Sequence, residues 1–83
     1  VDQRFLAMVE ADNLMAEALV RPGTIPPGVV TGESMQRGRN LAWMRAIAAT
    51  DREGLFAVSV TVSDAETGQQ LVTRQTMMRV PPA

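Results

Sequence analysis

The sequence predicts an α+β fold, an N-terminal helix packed on a small antiparallel sheet of about four strands in a meander. Three observations carry this. The first twenty residues contain neither Gly nor Pro, the hydrophobic period then changes from helical to alternating, and the turns between the alternating segments are only a few residues long. Such turns cannot house the crossover helix that parallel strands require.

From Val1 to Val20 the chain is dominated by Ala, Leu, Met and Glu, residues that lose little on entering a helix. Arg21-Pro22-Gly23 ends the helix, because Pro disfavours helix in the residue before it and Gly readily takes the left-handed conformation. A Pro- and Gly-rich loop occupies 21–28, and the sheet is expected over 29–80. Val29 to Met35 and Arg39 to Thr50 form a hairpin about Gln36-Arg37-Gly38. Phe56, Val58, Val60 and Val62 alternate with small residues, giving one buried and one wet face. Turns at Asp51-Arg52-Glu53-Gly54 and at Asp64 to Gly68 flank that strand, and Leu71 to Val80 follows before Pro81-Pro82. The 83 residues read as one domain.

Composition removes most catalytic chemistry. Without Cys or His there is no thiolate nucleophile, imidazole base or ordinary zinc site, and no enzyme, cofactor, metal or small-molecule substrate is expected. The net charge is −1 and every cation is Arg, so no basic field attracts nucleic acid. No apolar run approaches the roughly 18 residues of a membrane span. Val1 is not Met and already lies in a helical pattern, which reads as an end produced by processing or by the choice of a piece of a longer chain.

The helix is the informative element. At 100° per residue, Gln3, Glu10, Asn13 and Glu17, with Leu6 among them, fall in one sector about 80° wide, and most of the remaining circumference is apolar. Covering one sheet needs a stripe somewhat over 100° wide, so a surplus apolar arc is left for a second protein. Val1, Phe5, Met8, Val9, Met15, Ala16 and Leu19 are the candidate partner-binding residues. Which face meets the sheet is left open by the sequence, as is an ordinary core helix with Ala-rich flanks.

Smaller features have plainer readings. Asp64 and Glu66 could supply oxygens to Ca²⁺, but the alternating acids of a calcium loop are absent and a hairpin turn explains them. Asp51 and Glu53 read as exposed turn charges, and Arg37-Gly38-Arg39 as turn chemistry. Trp43, a side chain of the kind that stacks on sugars or bases, shares a face with Leu41 and Ile47 and reads as packing. Arg45 lies on that same face, where it requires a carboxylate or carbonyl partner, or a bulge that turns it outward.

Ala11-Asp12-Asn13-Leu14-Met15-Ala16-Glu17 resembles the A-x-N-x-x-A-E pattern of type II secretion minor pseudopilins, the I subunit above all. Thr31-Gly32-Glu33, Gly38-Arg39, Leu41-Ala42-Trp43, Thr50 and the Val58, Val60, Val62 strand follow in the family's order. Leu41, at a position often Trp, and Arg45 depart from the pattern. The resemblance implies a structural subunit that joins the J and K minor pseudopilins in a tip complex, starts pseudopilus assembly and supports export of folded proteins. It also implies an upstream hydrophobic segment, cut and methylated by a prepilin peptidase. The chain would then be the periplasmic domain of an inner-membrane-anchored protein of a Gram-negative bacterium, touching the membrane only through that segment. A minor pilin of a type IV pilus, or a small soluble ligand-binding or regulatory module, is the alternative.

Overall fold

The computed structural model describes residues 3–20 and 25–81. One helix, α1 (Gln3–Val20), precedes four strands, β1 (Gly28–Gln36), β2 (Arg39–Ala49), β3 (Leu55–Asp64) and β4 (Gln70–Arg79). The strands form one antiparallel sheet in the order β1-β2-β3-β4. Each strand pairs with its neighbour in the chain, which is the meander that short connections dictate.

Local chemistry sets the turns. Arg37 and Gly38 both have positive φ, 50° and 78°, the pairing of a two-residue hairpin turn whose twist matches that of the strands. Thr50 closes the β2–β3 connection. Its hydroxyl donates to the Leu55 carbonyl at 2.8 Å and accepts from the Arg52 N–H at 3.1 Å. Asp64 closes the β3–β4 turn, its Oδ1 accepting from the backbone N–H groups of Glu66 at 2.8 Å and Thr67 at 3.3 Å. That carboxylate organises a hairpin turn over 64–68.

α1 lies over β3 and β4, with less reach onto β2. The core between helix and sheet has two parts. Leu6, Ala7, Ala11, Leu14, Leu41, Val60 and Val62 form one, and Ala18, Ile47, Val58 and Met78 the other. A register shift at Val62/Ser63 makes Val72 face Val62 while Gln70 faces Ser63, leaving Leu71 as an extra residue. The shift lets two successive residues, Leu71 and Val72, both pack on the core.

The helix does not cover β1, and Trp43 takes its place there. Trp43 pairs with Gly32 across the sheet, and a Cβ at Gly32 would stand 2.5 Å from the indole, so only Gly fits beneath the ring. The other face of the sheet is uncovered. It carries half-exposed small residues, including Ala46, Ala57 and Ser59, with exposed Val29, Met44 and Met77.

Candidate functional site: the outward face of the helix

Docking on the sheet divides α1 into two apolar arcs of different character. The buried arc is Leu6, Ala7, Ala11, Leu14 and Ala18, three of its five residues being Ala. Small side chains let the helix backbone approach the sheet closely, and the sheet supplies the bulk through Leu41, Val58, Val60 and Val62, all fully buried. The outward arc holds larger groups. Phe5 is 57% exposed, Met8 39%, Val9 37%, Leu19 39% and Val20 74%, with Ala16 exposed among them. On the wheel these span about 120°, interrupted among the described residues only by Asp12.

Of the candidate partner-binding residues, Phe5, Met8, Val9, Ala16 and Leu19 stand together on this arc. Met15 does not. It is half-buried and packs against both parts of the core, because its place on the wheel adjoins Ala11 and Ala18. Val1 lies outside the described residues. Val20, the most exposed of the arc, extends the same face.

Polar contacts flank the core under the helix on both sides. Arg74 Nε donates to Asp12 Oδ1 at 3.4 Å on the β4 side. On the other side Arg45 reaches from β2 to the helix, its Nη1 donating to the Leu14 carbonyl at 3.1 Å and standing 3.8 Å from Glu17 Oε2. Arg45 therefore points inward, and no register shift accompanies it on either flank of β2. Of the two expectations for Arg45, the inward side chain with a carbonyl and a carboxylate partner is the one found, and the bulge is not. Its Nε is buried without a partner.

Among the described residues, Asp64 is the one group whose carboxyl is clearly shifted from its ordinary value. The hydrogen bond from Gln3 holds its carboxyl below the usual value, helped by the backbone N–H groups of Glu66 and Thr67 and by the charge of Arg39. Gln3 Nε2 donates to Asp64 Oδ2 at 2.6 Å, so the turn is tied to the first turn of the helix.

Among the described residues no helix is long and apolar enough to cross a membrane. The family model for the type II secretion system protein I matches residues 1–79, nearly the whole chain. No curated protein matches it significantly. The matched span takes in the helix, its outward arc and all four strands.

Proposed function

The chain belongs to the type II secretion system protein I family, a family of structural secretion-system subunits, and on that premise we propose that the outward arc of α1 docks against the helices of other minor pseudopilins. The occupants are the J and K subunits, bundled in a tip complex that initiates the pseudopilus and supports export of folded proteins. The chain acts as the periplasmic domain of a subunit anchored in the inner membrane, and its N-terminal processing and methylation belong to the same proposal. Its work is templating by contact.

One observation supports this reading above the others, the exposure of Phe5, Met8, Val9, Leu19 and Val20 on one helix face. Five large apolar side chains left in water on one face of a helix point to a partner, since large exposed apolar patches are uncommon on true monomers. A partner helix laid along it would bury about one large residue per turn, each stabilising association by about 1.5–3 kcal/mol.

Co-purification with the J and K subunits tests the proposal. The double substitution Phe5→Glu/Val9→Glu should weaken the ternary complex by about 100-fold or more, since two buried contacts become two desolvated charges. Both side chains already face water, so thermal stability of the lone chain should stay within about 1 kcal/mol. Recovery of the complex in unchanged amount would refute the docking face.

A further inference from the structure

Three polar residues of the helix lie beside its contact with the sheet, while Arg4, Asp12 and Asn13 are exposed. Gln3, Glu10 and Glu17 recur every seven residues, so they form one row that drifts only about 20° per heptad. On the wheel the row lies between buried Leu6 and Leu14, beside the Ala-rich part of the contact, and each member meets a different strand. Gln3 donates to Asp64 at the end of β3 at 2.6 Å, Glu10 Oε1 accepts from the Ser34 hydroxyl of β1 at 2.6 Å, and Glu17 lies 3.8 Å from Arg45 of β2.

Burial of apolar surface does not by itself select the observed rotation of this helix. The arc turned to the sheet is mostly Ala, while Phe5, Met8, Val9, Leu19 and Val20 stay in water. A roll that carried the row outward would release Glu10 from Ser34 into water and bring Met8 and Leu19 onto the sheet. A helix apolar around most of its circumference has more than one way to lie down, and something besides hydrophobicity must choose. A buried polar group that is satisfied in only one arrangement does so, at a cost in stability. Arg45 fits that description, being buried between Leu41 of one core cluster and Ile47 of the other, with its Nε unpartnered.

We propose that the row is a rotational latch: Gln3, Glu10 and Glu17, clasped by Asp64, Ser34 and Arg45, fix which arc of α1 lies on the sheet and hold the bulky arc outward. The meaning of the latch for assembly rests on the docking reading above. The latch itself is a property of the chain without partners, and its test needs none.

The chain has no Cys, so a single introduced thiol reports alone. Met8→Cys and Asn13→Cys place reporters on opposite sides of the outward face, and both positions are exposed in the latched helix. Ser34→Ala with Arg45→Met removes two clasps from the sheet and leaves the helix sequence untouched. In that background the alkylation rate at position 8, relative to position 13, should fall about tenfold as Met8's position turns toward the sheet, with circular dichroism still that of the folded chain. A folded variant with an unchanged ratio overturns the latch. Should the double replacement unfold, Arg45→Met alone decides by the same ratio. Loss of J and K binding with an unchanged ratio would strike at the latch only, and a changed ratio with J and K binding unaffected would strike at the docking face only.

Discussion

Replacing Arg45 with Met should leave the fold as stable as before or make it more so. The guanidinium sits between two hydrophobic clusters with its side chain only 9% exposed. Its removal forfeits one charge-assisted hydrogen bond to the Leu14 carbonyl, about 1.5–3 kcal/mol. Against this stand the desolvation of a cation, several kcal/mol after relaxation, and the unpartnered Nε, about 1–3 kcal/mol. Breaking a buried ion pair usually costs about 3–5 kcal/mol because the surviving charge is stranded. Glu17 is not stranded here, since its side chain is 62% exposed and water takes it up. The Leu14 carbonyl is not stranded either, because it lies inside the helix and retains its i+4 N–H. Met conserves most of the aliphatic volume, so the net expectation is a gain between about 0 and 2 kcal/mol. At about 4–8 °C per kcal/mol for a domain of this size, the melting temperature should hold or rise by several degrees. Arg45→Ala, which deletes the stem as well, should instead cost about 1–3 kcal/mol through the cavity. Urea unfolding of the three chains measures all of this, and a Met variant more than about 2 kcal/mol less stable at unchanged m-value would refute the reasoning.

Gly32→Ala drives a Cβ into the Trp43 indole and should cost about 1–3 kcal/mol, with a red shift in the emission of the sole Trp as the ring swings into water. Thr50→Val removes the hydroxyl that spans Arg52 and Leu55 and should lower stability by about 1 kcal/mol in chemical denaturation. The Asp64 carboxyl is held below its ordinary value of 3.8 in the fold, so it contributes stability that is fully present above that value and is lost as pH falls through the folded one. Asp64→Asn should therefore flatten the acid limb of a stability–pH profile below about pH 5, and an equally steep limb in the variant would exclude this carboxylate as its source.

Much of the fold was legible in the sequence because it follows from local rules. The end of α1, the alternation in β3 and the Arg37-Gly38 turn each depend on a few neighbouring residues, and the meander depends only on connection length. The outward arc was legible as an excess of apolar circumference, though which part would face out was not. Met15 shows why. It reads like Met8 in a helical pattern, yet it falls beside Ala11 and Ala18 and is drawn into the core once those two define the contact. The extra residue Leu71 was invisible because a register shift is settled by pairing across strands, not by sequence spacing.

The row at positions 3, 10 and 17 was legible as a polar sector and misleading as one, since a polar sector on a helix ordinarily marks the solvent side. What reverses that reading lies far along the chain, in Ser34, Arg45 and Asp64, each of which brings a complementary polar group to the sheet's helix side. An apolar residue at 45 would have satisfied the alternation of β2 and hidden nothing unpaired. The presence of Arg there makes sense only if the orientation of the helix matters more than the stability lost in fixing it. That is a reasonable expectation for an element with two apolar arcs, because the wrong arc on the sheet would bury the larger residues and offer a partner mostly alanine.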